Sequence, residues 1–221
     1  MNEQRRQWNE NQRLLQAALR GKDTKEEALA LFNTQHAAVH DLNDPTTLAG
    51  QTLIDLREVA WRSIPAGHEH SPAWLLWHTA RCEDITLNLL VASQPQVLLS
   101  GDWLHKMNIS ARDTGNAMDP DAIHALGQQI NLEALYAYWT AVSHQTRQIV
   151  ANLSPADWKR KPNATQIQQI IDQEAVLPPA YGLIDYWSSR TVAGLLLMPA
   201  TRHPLVHLNE IEKMKLKKKI R

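Results

Sequence analysis

The chain is punctuated by helix-start signals, each followed by apolar residues at helical spacing. Thr24-Lys-Glu-Glu27 reads as a capping box, in which Thr24 caps the first turn and Glu27 reaches back to the cap. Ser71 stands before Pro72, which places a capping serine ahead of proline at the first helical position. No stretch alternates apolar and polar residues for long, as a half-buried strand would. These patterns predict an all-α protein.

The predicted helices suit a four-helix bundle with additional short helices. They cover residues 2–20, 24–43, 48–62, 71–91, 119–152, 163–179 and 181–217, the last interrupted by Pro199 and Pro204. We expect residues 1–22 to form an N-terminal helical extension with a surface helix, residues 23–217 the bundle domain, and residues 218–221 a basic tail. The loop-rich segment 93–119 is long enough to cover one end of a bundle.

Composition narrows the function classes. The 221 residues include 23 basic and 23 acidic side chains, so no net charge favours nucleic acid, and we expect no nucleic-acid partner. The single cysteine, Cys82, excludes an internal disulfide framework and fits a reducing compartment. Residues 1–8 are polar and charged, and no apolar run is long enough to span a membrane. The sequence therefore predicts a cytoplasmic protein without a membrane partner.

Three histidines are the strongest candidates for a metal site. His203 and His207 are four residues apart, so a helix would place both on one face, and His78 lies in the middle of the apolar helix that Ser71 caps. Three imidazoles projecting into a bundle core would bind a divalent ion and leave one coordination position open. Pro204 disfavours an α conformation at His203, which we therefore place at a helix start.

Two other histidine pairs compete with this set. His36 and His40 have the same spacing, so one of them would line the site or supply a fourth ligand, although surface or packing roles are favoured. His68 and His70 lie before the Ser71 cap, where a solvated loop is favoured over an ion site.

Three polar side chains, Glu83, Asp113 and Asn116, each have two possible interpretations. Glu83 points away from the His78 face, so it is interpreted as a salt-bridge partner rather than a catalytic base. Asp113 and Asn116 lie in the long loop, where they either contact a substrate or serve as ordinary turn residues.

The stretch Ser71-x-x-Trp-Leu-Leu-Trp-His78-Thr-Ala-Arg-x-Glu83, followed by His203-x-x-x-His207-Leu-Asn-Glu210, resembles the DinB-like superfamily of four-helix bundles. That group is related to bacterial thiol S-transferases and to mycothiol-dependent maleylpyruvate isomerase. The resemblance covers roughly Glu26 to Met214 and departs from the family at Pro204. It implies that His78, His203 and His207 bind a divalent metal ion, most often zinc or nickel.

Two functions follow as hypotheses. The first is a metal-dependent transferase or hydrolase acting on a small molecule, with a low-molecular-weight thiol as cosubstrate in the transferase version. The second is a non-catalytic bundle that binds a small molecule or metal and forms a homodimer through exposed tryptophan and leucine side chains. The eight tryptophans fit core packing or the lining of a ligand cleft. The absence of a convincing general base weakens the hydrolase version.

Overall fold

The structure, a computed structural model, describes residues 3–22 and 24–218, and these contain helices and loops but no strand. This confirms the all-α prediction. The α-helices are α1 Glu3–Ala17, α2 Lys25–His40, α3 Leu48–Leu53, α4 Glu58–Arg62, α5 Pro72–Ile85, α6 Val97–Ser100, α7 Trp103–Lys106, α8 Pro120–Gln129, α9 Leu132–Asn152, α10 Ala164–Asp172, α11 Gly182–Ser188, α12 Val192–Leu197 and α13 His203–Lys218. Short 3₁₀ turns lie at Asp157–Lys159 and Pro178–Ala180.

Four of these helices, α2, α5, α9 and α13, form the bundle. Both α9 and α13 pack against α2 and against α5, so α2 and α5 lie diagonally across the core. The predicted caps position two of the four: Thr24 and Glu27 form the capping box of α2, and the Ser71 hydroxyl accepts the Trp74 N–H at the start of α5. Every residue of α5 is buried, as its apolar sequence predicts.

Two helices predicted as continuous are each divided in two. The stretch 48–62 forms α3 and α4 with a break between them, and the stretch 119–152 forms α8 and α9. At the second break the Asn131 side chain accepts the Ala134 N–H and caps a new helix. An asparagine side chain can replace a hydrogen bond of the helix backbone in this way. The spacing of apolar residues gives no sign of such a break.

The prediction of a surface helix for residues 2–20 is wrong in one respect. Helix α1 packs against α2 and α12 and buries Trp8 and Leu15, which are seven residues apart and share one face. Gln35 donates to the Trp8 carbonyl oxygen at 2.9 Å, and Gln12 donates to the Thr201 hydroxyl at 2.9 Å. These contacts attach α1 to the bundle.

The backbone at His203 differs from the prediction based on Pro204. His203 begins α13, as expected, but its φ of −64° and ψ of −48° are α-helical, and a π-helical turn at Met198–Arg202 joins α12 to α13 without a break. In this turn the His203 N–H bonds to the Met198 carbonyl oxygen, five residues back. The wider turn accommodates proline within a continuous helix, and such turns occur frequently at functional sites.

Two further predictions concern the ends and surface of the chain. Helix α13 continues to Lys218, so part of the predicted basic tail is helical, while residues 219–221 lie outside the described residues. Within the described part of the chain, no helix combines the length and apolarity needed to cross a membrane. The exposed tryptophan surface expected for a dimer is wrong, because every tryptophan is buried except Trp103, which is partly buried.

Candidate metal centre

His78 lies at the centre of α5, and one of its two ring nitrogens forms a hydrogen bond to the backbone. Its imidazole is buried, and its Nδ1–H donates to the Thr114 carbonyl oxygen at 2.6 Å. Because a carbonyl can only accept, the proton lies on Nδ1 and leaves the Nε2 lone pair free. Trp74 stacks on the ring with centroids 4.8 Å apart. Metal-binding histidines typically have such a fixed outer partner.

His203 and His207 face His78 from α13. Their Nε2 atoms are 3.1 Å apart, and His207 uses its Nδ1 to contact the Glu210 carboxylate at 3.1 Å. This hydrogen bond from His207 is the main reason that the pKa of Glu210 is lowered. With its Nδ1 bonded to Glu210, His207 directs its Nε2 at the other imidazoles. In zinc sites, outer carboxylates orient histidine ligands in the same way.

The three rings converge at right angles. Ring centroids of His78 and His203 are 5.0 Å apart, those of His78 and His207 are 5.4 Å apart, and those of His203 and His207 are 4.7 Å apart. The interplanar angles are 79°, 88° and 79°, respectively. With zinc–nitrogen bonds of about 2.0–2.1 Å, ligand nitrogens lie roughly 2.9–3.4 Å apart and ring centres roughly 4.5–5.3 Å apart. We call these three residues the convergent cluster. The distances from His203 to His78 and to His207 lie within this range, and the 5.4 Å between His78 and His207 lies just above it.

The same surroundings keep the imidazoles of His78 and His203 neutral. Burial lowers the pKa of His78 to about 3. Burial, followed by the neighbouring His78 and His207, lowers the pKa of His203 well below its ordinary value. A neutral imidazole retains the lone pair that a metal ligand requires. At neutral pH, an ion therefore does not need to displace a proton from such a ring in order to bind.

Cys82 adjoins the convergent cluster, although the sequence analysis gave it no role there. One turn beyond His78 on α5, its Sγ lies 3.8 Å from His78 Nε2. Ligand atoms of His78, Cys82 and His203 all lie within 4.8 Å of one another. Burial raises the pKa of the thiol. The sequence does indicate that Cys82 shares a helix face with His78, because residues 78 and 82 have the same four-residue separation as the α13 histidines.

A cavity of about 90 Å³ opens beside the convergent cluster. His78, Cys82 and His203 form one wall, and the remaining lining is apolar or uncharged: Asn116, Leu183, Tyr186, Trp187, Met198 and Pro199. The small helix α11 therefore supplies a wall of a space that reaches the imidazoles. Among the described residues, no Asp, Glu, Lys or Arg lines this cavity.

A second group of potential ligands joins α2 to α5. Glu83 contacts both histidines of α2: its Oε1 lies 2.9 Å from His36 Nε2, and its Oε2 lies 2.6 Å from His40 Nε2. All three side chains are buried. We call them the stacked cluster, because the rings of His36 and His40 are nearly parallel, with centroids 3.9 Å apart and an interplanar angle of 13°. Phe32 and Trp139 extend the stack on either side.

Hydrogen bonding explains the stacked cluster without an ion. His40 Nδ1 donates to the His36 carbonyl oxygen, and its Nε2 contacts the Glu83 carboxylate at 2.6 Å. Although burial alone raises the pKa of Glu83, His40 and then His36 lower it below the ordinary value, so this group is ionised. Burial lowers the pKa of His36 to about 4, and its neutral ring donates from Nε2 to Glu83.

The ring geometry of the stacked cluster is poor for a shared ion. Lone pairs lie in the planes of their imidazoles, and the planes of His36 and His40 are nearly parallel. An ion about 2.0–2.1 Å from both nitrogens would lie out of at least one plane. Glu83 is thus a buried ion-pair partner, which agrees with its sequence interpretation, and the α2 histidines occupy a cluster of their own rather than the convergent one.

The remaining predicted residues lie around the convergent cluster in supporting positions. His70 is partly buried and stacks on Trp74, with centroids 4.0 Å apart, so the prediction of a solvated loop there is wrong. His68 is also partly buried. Asp113 accepts the Gly115 N–H at 2.7 Å and shapes the loop that holds His78, whereas Asn116 lines the cavity.

Comparison with known proteins agrees with the geometry. No curated protein matches the chain. The family model described as the DinB superfamily matches residues 51–211, which is more than half of the chain and includes His78, Cys82, His203, His207 and Glu210. The matched residues begin after α2, so His36 and His40 lie outside them. The chain therefore belongs to the DinB superfamily.

Proposed function

We propose that this protein is a divalent-metal-dependent transferase that joins a low-molecular-weight thiol to a small electrophile. The observation that carries the proposal is the convergent cluster: three nearly perpendicular imidazoles, with ring centres 4.7–5.4 Å apart, beside a cavity. His78, His203 and His207 would hold zinc or nickel. When bound, such an ion lowers the pKa of a coordinated thiol and makes it a nucleophile near neutral pH.

The residues around the imidazoles favour an uncharged electrophile. The cavity wall formed by Leu183, Trp187 and Met198 excludes water from one side of the site, and the Asn116 amide provides a hydrogen-bonding group. A charged group buried here would lose hydration without gaining an oppositely charged partner among the lining residues. An aromatic or alkyl electrophile of modest size fits this lining better than a dicarboxylate.

The carboxylates nearest the histidines favour thiol transfer over hydrolysis. Metal-dependent hydrolysis is commonly assisted by a carboxylate that takes a proton from the bound water, but Glu210 is engaged by His207, and Glu83 is engaged by both α2 histidines. In a transfer reaction the thiol arrives as the nucleophile and ionises against the cation, so no separate base is needed.

Elemental analysis of the untagged protein tests the metal site first. We expect about one zinc or nickel ion per chain in the wild type and much less in His203→Ala, because removing one of the converging imidazoles weakens the hold on the ion. His124→Ala is the matched control, since this histidine is exposed on α8, away from the convergent cluster. Equal metal content in His203→Ala and His124→Ala would overturn the assignment.

A thiol screen tests the reaction. Metal-loaded protein is mixed with an uncharged aryl halide and, in turn, cysteine, glutathione, bacillithiol or mycothiol, and thioether formation is followed by mass spectrometry. We expect one thiol to react faster with the wild type than with His203→Ala. Bound metal without turnover of any pair would instead support the non-catalytic metal-binding bundle.

A further inference from the structure

The thiol of Cys82 is adjacent to the convergent cluster but takes no part in the function proposed above. Helical spacing puts it on the same face of α5 as His78, and its Sγ lies 3.8 Å from His78 Nε2. Among the described residues, its hydrogen-bond contacts are with the His78 ring alone. The thiol therefore has no structural hydrogen bond to the backbone that would account for its position.

The separation of Sγ from the imidazole suits two ligands of one ion. With a zinc–sulfur bond of about 2.3 Å and a zinc–nitrogen bond of about 2.0 Å, tetrahedral ligands lie roughly 3.5 Å apart. The observed 3.8 Å from Sγ to Nε2 differs from that value by a few tenths of an ångström. Cys82 also lies close to a second ligand, because its Sγ and a ring nitrogen of His203 are within 4.8 Å.

We infer that Cys82 is the fourth protein ligand of the ion held by His78, His203 and His207. On binding, the sulfur–hydrogen bond breaks, the proton passes to solvent, and the thiolate forms a bond to the metal. This inference depends on the ion site of the proposed function but not on the reaction assigned to it. A thiolate directs the site toward zinc, nickel or cobalt and away from magnesium and calcium.

Fourfold coordination also has a consequence for the proposed reaction. With Cys82 as a ligand, four side chains would hold the ion, as in closed zinc sites. Because Cys82 also lines the cavity, a cosubstrate thiol bound in the cavity would lie beside the ligands.

Cobalt(II) substitution tests the inference by spectroscopy. Thiolate-bound cobalt(II) has an intense near-ultraviolet charge-transfer band, whereas imidazole-bound cobalt(II) shows only the weaker visible ligand-field bands. Cys82 is the only cysteine in the chain, so a thiolate band can come from no other residue of the protein. Metal-free protein in phosphine reductant, without added thiol, is titrated with cobalt chloride and its absorption spectrum recorded.

We expect both sets of bands in the wild type and visible bands alone in Cys82→Ser. In His203→Ala we expect half-maximal binding at a higher cobalt concentration, because that variant removes a ligand of the same ion. Circular dichroism checks that each variant folds, and Cys82→Ala replaces Cys82→Ser if serine prevents folding. Visible bands without a charge-transfer band in the wild type would overturn Cys82 ligation and leave the three-histidine site intact. If the wild type binds no cobalt at all, the site of the proposed function is wrong and the inference falls with it.

Discussion

The bundle contains two histidine pairs with identical sequence spacing and different geometries. On α2, His36 and His40 lie parallel with centroids 3.9 Å apart, whereas on α13, His203 and His207 are nearly perpendicular with centroids 4.7 Å apart. Both pairs meet a residue from α5, which is Glu83 in the stacked cluster and His78 in the convergent one. Four-residue spacing places two rings on one face of a helix but does not set their relative orientation.

The partners of each pair account for the difference. In the stacked cluster, Phe32 and Trp139 pack on the outer ring faces, and a carboxylate accepts from both Nε2 atoms. In the convergent cluster, outer acceptors engage Nδ1 of His78 and His207. The stacked cluster therefore directs both Nε2 atoms at one carboxylate, whereas in the convergent cluster the Nε2 of His207 faces the Nε2 of His203.

Removing Glu83 gives the largest expected effect in either cluster. Glu83→Ala leaves the buried rings of His36 and His40 without the carboxylate that both contact, so we expect the free energy of unfolding to fall by about 3–5 kcal/mol. Glu83→Gln should cost much less, because the amide oxygen accepts from His36 and the amide N–H donates to a neutral His40. Urea denaturation of the two variants measures the difference. Equal losses would contradict this expectation, because they would show that the charge of Glu83 rather than its hydrogen bonds stabilises the cluster.

Zinc binding should stabilise the fold through the convergent cluster alone. Free zinc at about 100 times its dissociation constant contributes about 2.7 kcal/mol, which raises the melting temperature of a chain this size by roughly 5–10 °C. Glu83→Gln should keep this shift, and His203→Ala should lose it. Thermal unfolding with zinc and with chelator measures both. A shift that persists in His203→Ala but disappears in Glu83→Gln would assign the ion to the stacked cluster instead.

Glu210, which orients His207, should contribute less to zinc affinity than the histidine ligands themselves. Glu210→Gln weakens the acceptor that orients His207, so we expect zinc affinity to fall by about 10- to 100-fold, or about 1.4–2.7 kcal/mol. Competition with a fluorescent chelator measures the affinity. Glu212, which follows on the same helix and is partly exposed, supplies the matched control as Glu212→Gln. An unchanged affinity in Glu210→Gln would mean that Glu210 does not position the ligand.

The sequence predicted the local features of this molecule better than its long-range ones. The caps at Thr24 and Ser71 were predictable because a cap and its helix are a few residues apart. The shared face of His203 and His207 followed from helical spacing. The break at Asn131 was missed, because the apolar period continues through it and only the side-chain hydrogen bond marks it.

The contacts that distinguish the two clusters could not be predicted from the sequence, and the reason is physical. Glu83 meets His36 across 47 residues and His40 across 43, and the identity of such partners depends on how the helices pack. The place of Cys82 beside His203 likewise depends on the packing of α5 against the π-helical turn before α13. A sequence pattern specifies faces of helices, whereas packing of those faces selects the ligands.

Acid should destabilise the metal-free protein, with contributions from both clusters. The pKa values of His36 and His78 are lowered by folding to about 4 and about 3, respectively, from an ordinary value of 6.5. Between pH 6.5 and these values the unfolded chain binds more protons than the folded one, so stability falls as the pH falls through that window. Each group contributes about 1.4 kcal/mol per pH unit.

Urea denaturation of chelator-treated protein at several values between pH 7 and pH 4.5 measures this slope. His78→Ala should reduce the slope, because one of the two neutral imidazoles is removed, while the exposed His124→Ala should leave it unchanged. Zinc added to the wild type should oppose the loss at the upper end of the window, since protons and the ion compete for the same lone pairs. A stability that stays flat from pH 6.5 to pH 4.5 would contradict neutral buried imidazoles in both clusters.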